Sequence, residues 1–164
     1  MMARFLVTGG AGYVGSHVVL ALRERGDEVV VMDDLRQGHR AAVPTDVALV
    51  TADVADRHAL SEVFANWRFD GVLHFAALSL VGESMRDPLR YLSENLSNTL
   101  AVADAAVKAG CKRFVLSSTA ALFGNPETTP IDEAARLAPT SAYGESKRMA
   151  EAGLEWADKV HGLR

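Results

Sequence analysis

Short runs of β-branched and aliphatic residues alternate along the chain with longer stretches in which apolar side chains recur every three or four positions. Residues 5–7 form the first run, which stops at Thr8-Gly9-Gly10. Residues 14–25 then carry Val14, Val18 and Leu22 at helical spacing, and Gly26 ends the pattern. Residues 28–32 predict a second strand and 47–50 a third. A helix is expected over 57–67, a fourth strand over 71–75, and a long helix over 88–109 with Pro88 in its first turn and Gly110 as its stop. Residues 113–116 make a fifth strand and 141–160 a last helix. Continuously apolar strands separated by helices are strands buried on both faces. The order β-α-β-(α)-β-α-β-α-β-α therefore predicts an α/β fold, a doubly wound parallel sheet of the Rossmann type, as one domain over residues 1–164. The sequence given stops at Leu163-Arg164, where a sixth strand is expected. Either something covers the edge of the fifth strand, or the chain is part of a longer one.

Composition narrows the partners. With 49% hydrophobic and 23% charged residues the chain has the balance of a globular domain. A net charge of −4 and a pI near 5.7 argue against a nucleic-acid or anionic-membrane surface. One cysteine, Cys111, excludes an internal disulfide framework and a cysteine-rich zinc site. His17, His39, His58, His74 and His161 show no metal-ligand spacing, so no metal is expected. His74 and Cys111 read as interior groups, and Trp67 and Trp156 as packing anchors. No apolar run spans a bilayer and no cleavage pattern opens the chain, so a soluble, cytoplasmic domain is expected.

The first candidate chemistry lies between strand one and helix one, in Thr8-Gly9-Gly10-Ala11-Gly12-Tyr13-Val14-Gly15. Gly9, Gly12 and Gly15 fit G-x-x-G-x-x-G, while Gly10, Gly12 and Gly15 fit G-x-G-x-x-G. Glycine permits a tight turn, close approach of backbone to a pyrophosphate, and tight packing of helix on strand. The helix N-terminus adds unpaired N–H groups and a partial positive charge. Asp33 follows Gly15 by 18 residues at the end of strand two, which is the context the dinucleotide fingerprint requires. A phosphate loop of the Walker type is excluded, because no Lys-Ser/Thr follows the last glycine. Asp33 suits both adenosine ribose hydroxyls and repels a 2′-phosphate, so NAD is preferred over NADP; Arg36, His39 and Arg40 just downstream are the groups able to oppose that preference. Asp53 and Val54, after strand three, are placed to reach the adenine edge, although an aspartate there also suits a helix cap.

The second is Tyr143-Gly144-Glu145-Ser146-Lys147, at the start of the last helix. Residues four apart share a helix face. A phenol of ordinary pKa near 10 is a poor base at neutral pH. An ammonium beside it favours the phenolate by about 4 kcal/mol for unit charges roughly 4 Å apart at an effective dielectric of about 20, an upper bound. Such a pair is common on helix surfaces, so the context matters. Strand five runs into Ser117-Ser118-Thr119, placing hydroxyls at the carboxyl edge of the sheet, where ligands of this fold bind. Thr119 can bond the substrate oxygen that Tyr143 deprotonates; the serines also suit simple capping of strand-end backbone.

The glycine loop, Asp33-Asp34-Leu35, His74-Phe75-Ala76-Ala77, Val81-Gly82-Glu83-Ser84, Ser117-Ser118-Thr119-Ala120 and Tyr143-x-x-x-Lys147 together resemble the extended short-chain dehydrogenase/reductases, the NAD-dependent epimerase/dehydratase family. Within them they are most similar to the UDP-glucose 4-epimerases. Sugar-nucleotide dehydratases of the superfamily carry an acidic pair where this chain has Ala120-Ala121, which favours an epimerase. The resemblance implies NAD as cofactor, with Tyr13 and Val14 on the pyrophosphate loop and Asp33, Asp34, Leu35, Arg36, Gln37 and Gly38 around the adenosine ribose. Asp53 and Val54 then contact adenine; Phe75, Ala76, Ala77, Leu78 and Ser79 line the pyrophosphate and nicotinamide side; Asn95 contacts the cofactor from the long helix. Thr119, Tyr143 and Lys147 become the catalytic set, Thr119 and Tyr143 touching substrate and Lys147 also bonding the nicotinamide ribose. The implied reaction interconverts UDP-glucose and UDP-galactose: hydride leaves C4 of the hexose, the keto sugar turns over, and hydride returns to its other face. A homodimer through the helices over 88–109 and 141–160 is implied for the full-length form. Departures are Ser79 where many relatives carry lysine, Leu92 for one of a tyrosine pair, Phe123 where Tyr is commoner, and Asp34 for a frequent asparagine. The substrate-gripping region expected after the Tyr-x-x-x-Lys helix is absent from the sequence given. Two alternatives remain at this point: a non-catalytic NAD-binding module, which would not need the Thr119–Tyr143–Lys147 set, and another NAD-dependent sugar-nucleotide epimerase of the superfamily.

Overall fold

The structure, a computed structural model, describes residues 2–164; Met1 lies outside the described residues. Among the described residues, β1 (Arg4–Thr8), β2 (Glu28–Asp33), β3 (Ala48–Thr51), β4 (Gly71–His74) and β5 (Phe114–Leu116) form one parallel sheet in the order β3-β2-β1-β4-β5. The helices are α1 (Tyr13–Glu24), α2 (Arg57–Asn66), α3 (Val81–Ser84), α4 (Pro88–Lys108) and α5 (Ala142–His161). Every expected strand and every expected unbracketed helix is present, with ends within one residue of those read from periodicity.

The strands are apolar throughout because both faces are covered. Alternate residues of β2 enter different cores: Val29 and Val31 pack with Val19 and Leu22 of α1, while Val30 and Met32 pack with Leu60 and Val63 of α2 and Val102 and Ala106 of α4. Helix α2 starts where the Asp56 carboxylate accepts the His58 and Ala59 N–H groups, and α5 where the Ser141 hydroxyl accepts that of Gly144. The chain leaves β1 toward β2 and β3 on one side and toward β4 and β5 on the other, so the sheet reverses between β1 and β4. A ligand crevice of this fold lies at that switch point, outside the carboxyl ends of the strands.

Two expectations are corrected, and the cover allowed for at the edge of the fifth strand is found. No α-helix connects β2 to β3; a single 3₁₀ turn at Arg40–Ala42 does. Pro44 lacks an N–H and biases Val43 toward the extended backbone it adopts (φ −99°, ψ 122°), while Val43 and Val47 are drawn into the core. Trp156 is not a packing anchor: it is 65% exposed, with the Lys159 ammonium over its ring, whereas Trp67 does pack on the core. The outer edge of β5 is not bare, since Phe114 N–H donates to Arg164 O (2.6 Å), Arg164 N–H donates to Lys112 O (2.9 Å), and Leu163 is buried. Among the described residues no helix is long and apolar enough to cross a membrane.

Candidate active site

The switch point is built by close backbone approach. Gly9 (φ +71°) follows β1, and a Cβ there would stand 2.5 Å from Ala76 N beyond β4. A Cβ on Gly15 would stand 2.2 Å from Gly9 O, so only glycine lets α1 start against the loop. Gly12 is different: a Cβ would meet only Gly9 O at 3.3 Å, and its open side borders the cleft. Gly12 caps α1 without a side chain, and the first intrahelical bond runs from Ser16 N–H to Gly12 O. The Tyr13, Val14 and Gly15 amides thus precede the ladder, and the Tyr13 and Val14 side chains are exposed.

At the far end of the cleft, the buried Asp33 carboxylate accepts the Ala11 N–H (3.0 Å) and the Leu35 N–H (2.8 Å). A carboxylate has about four acceptor positions, so about two remain for a ligand. Leu35 sits at φ +60°, a backbone strain held by its bond to Asp33 and its packing on the α1 side of the core. Arg36 bridges Asp34 (2.8 Å from Nε) and Asp53 (2.6 Å from the guanidinium), so one of the three groups able to oppose an NAD preference is already matched by two carboxylates. Asp53 does not cap α2; its second oxygen accepts Ala55 N–H. Val54 is core with one border on the cleft, and Gln37 and Gly38 also line it.

The opposite wall is Phe75, Ala76, Ala77 and Leu78, with Ser79 exposed beyond it. Asn95 stands behind this wall, not on it: its amide is engaged with the Leu78 backbone and with Ser146. Glu94 and Asn98, one turn apart on α4, line the cleft in addition. Helical periodicity places them within the helix over 88–109 but carries no signal that singles them out. Buried Tyr91 donates its hydroxyl to Glu83 (2.6 Å) and accepts Leu80 N–H (3.2 Å), tying α3 and the loop before it to α4. Burial first, then the Glu83 carboxylate, pushes the Tyr91 phenol up to about 12.

The residues expected to carry acid–base chemistry lie just past β5 and at the start of α5. Lys147 is 3% exposed and donates from Nζ to Ser117 O (3.0 Å); burial pulls its ammonium down to about 8, against the smaller opposing pull of Glu151. Thr119 Oγ1 accepts the Ala121 N–H (3.1 Å) and keeps its hydroxyl hydrogen for another acceptor. A Cβ on Gly144 would lie 2.7 Å from Ala121 O, so bare backbone brings the turn after Thr119 against the start of α5 beside Tyr143. Beneath them, Thr99 donates its hydroxyl to Asn95 O (2.8 Å), which leaves His74 Nε2–H as the donor to Thr99 Oγ1 (3.2 Å) and His74 Nδ1 as the acceptor of the Thr8 hydroxyl (2.6 Å).

A dinucleotide fits this edge. The loop offers unpaired amides beside a glycine whose missing side chain leaves the space open, and a buried carboxylate at the far end keeps free acceptor positions. Fold and edge together define a Rossmann-type domain of the dehydrogenase/reductase kind. A model described as the NAD dependent epimerase/dehydratase family matches residues 5–164, and the chain belongs to that family. It is 46% identical over 158 residues to a UDP-glucose 4-epimerase of Lacticaseibacillus casei, covering 96% of this chain and 48% of that protein. The crystal structure of the Brucella ovis UDP-glucose 4-epimerase in complex with NAD superposes with a TM-score of 0.95 at 36% identity, over 99% of this chain and 50% of that one. That of the Thermotoga maritima enzyme with UDP-glucose gives 0.93 at 34% identity, over 98% and 52%. The chain spans about half the length of the relatives it matches.

Proposed function

We propose that the chain is the cofactor-binding and acid–base half of an NAD-dependent 4-epimerase that interconverts UDP-glucose and UDP-galactose. The observation that carries the reading is the Lys147–Ser117 bond together with the bare contact of Gly144 on Ala121, which support bringing Tyr143, Lys147 and Thr119 to the carboxyl edge beside the glycine loop. Asp33 would hold the adenosine ribose, the amides ahead of α1 the pyrophosphate, and Lys147 the nicotinamide ribose. Bound NAD would supply the acceptor for the C4 hydride and return it to the opposite face. Tyr143 takes the proton of the C4 hydroxyl and gives it back, in general base and general acid roles. The Lys147 ammonium, one turn along the same face, favours the phenolate. With its oxygen already accepting Ala121 N–H, Thr119 orients the same sugar oxygen by donating its hydrogen. The reading extends to galactose metabolism in the cytoplasm and to a homodimer.

Conversion of UDP-galactose to UDP-glucose by the full-length protein tests it. Tyr143→Phe is expected to lower kcat by about 10²- to 10⁴-fold, the range of a lost general acid–base. Undiminished turnover by that variant refutes the assignment.

A further inference from the structure

Asn95 is 3% exposed on α4 and commits its amide to the protein on both sides. Oδ1 accepts Leu78 N–H (2.8 Å), while Nδ2 donates to Leu78 O (3.0 Å) and to Ser146 Oγ (2.9 Å). A carboxamide has two N–H donors, and both are engaged. Ser146, fully buried, passes its own hydroxyl hydrogen to Tyr143 O (2.7 Å). Leu78 lies four residues past the end of β4, where no strand remains to pair its backbone. The Asn95 amide supplies what a neighbouring strand would, one donor and one acceptor to the same residue. Helix α4 thereby holds the cleft wall and, through Ser146, the turn of α5 between Tyr143 and Lys147.

We infer that Asn95 and Ser146 are positioning residues acting as one unit: they set the Leu78 wall of the cofactor cleft in register with the Tyr143–Lys147 turn, and Asn95 acts on a bound dinucleotide through Leu78 and not by touching it. The inference rests on the NAD-binding reading above. Three elements converge on the pair, and a half-satisfied buried amide is costly, so removing either partner releases the wall.

The test is calorimetric titration of the purified protein with NAD. Ser146→Ala removes a side chain with no access to the cleft, and is expected to weaken NAD binding about fivefold, the scale of one net hydrogen bond. Asn95→Leu weakens it at least as much, and the double variant is no weaker than Asn95→Leu alone, because the two act in series. Ser146→Thr, which keeps the hydroxyl, restores binding. Thr99→Val, a loss from the same helix that leaves Leu78 and Ser146 untouched, lowers the urea midpoint without changing the NAD dissociation constant. Should Asn95→Leu fail to fold, Asn95→Asp replaces it, keeping the size and one acceptor while losing both donors. Unchanged NAD binding by Ser146→Ala, additive losses in the double variant, or an equal loss in Thr99→Val each overturns the inference. If the parent protein binds no NAD, the NAD reading falls and the inference with it; if it binds, those outcomes refute the inference alone.

Discussion

Mild acid is expected to weaken this fold through His74 before its surface carboxylates lose their charge. The imidazole is completely buried between Thr8 and Thr99, with its ring hydrogen placed on Nε2 by the Thr99–Asn95 bond. Burial, and secondarily the Lys147 ammonium, push its pKa from 6.5 down to about 3. In the unfolded chain the same ring takes a proton near 6.5, so between 6.5 and 3 the unfolded state binds more protons than the native one. The stability His74 contributes is therefore whole above pH 6.5 and is lost as the pH falls toward 3. At about 1.4 kcal/mol per pH unit, lowering the pH from 7 to about 4.5 removes roughly 2.7 kcal/mol, a large share of the roughly 5–15 kcal/mol typical of a domain. Urea unfolding followed by the fluorescence of Trp67, which packs on the core, measures the loss. The control is His74→Gln, which keeps a polar side chain but cannot titrate in this range. Between pH 7 and 4.5 the parent protein should lose about 2.7 kcal/mol more than the variant. If the two fall in parallel, within about 0.5 kcal/mol, the buried neutral imidazole is not the acid-sensitive element.

Other variants probe the edge itself. The depressed Lys147 value means that burying the ammonium costs about 3 kcal/mol, only partly offset by its bond to Ser117. Lys147→Met should therefore raise stability at pH 7 by about 1 kcal/mol while abolishing turnover; a lower urea midpoint would contradict this. Asp33→Ser should narrow the preference for NAD over NADP by at least about tenfold in dissociation constants, as losing a charged acceptor implies; an unchanged ratio would show that Asp33 does not read the ribose. Gly144→Ala drives a Cβ to 2.7 Å from the Ala121 carbonyl, and should cost about 1–3 kcal/mol in thermal or urea unfolding.

Much of the candidate site is legible in the chain because its pieces are local. The Val-Val-Val-Met of β2 has to be covered on both faces, whatever covers it. Gly9 to Gly15 is read within one strand–turn–helix unit, Asp33 by its distance from that unit, and Tyr143 with Lys147 by the pitch of one helix. What escaped depends on partners distant in sequence. Pro44 stopped the bracketed helix, and its effect was visible only once Val43 and Val47 were seen in the core. Arg36 looked available for a phosphate until Asp53, 17 residues on, was found against its guanidinium.

Asn95 shows where the division lies. Its place on a helix of apolar period follows from the sequence alone, as do the strand count and the residues that can carry acid–base chemistry. Which way its amide turns was decided by the sheet order β3-β2-β1-β4-β5, which sets the loop after β4 beside α4 and brings Ser146 of α5, 51 residues away, to the same spot. Helical and strand periods arise from neighbours along the chain, whereas a buried hydrogen bond is chosen among whatever groups the packed layers bring within about 3 Å.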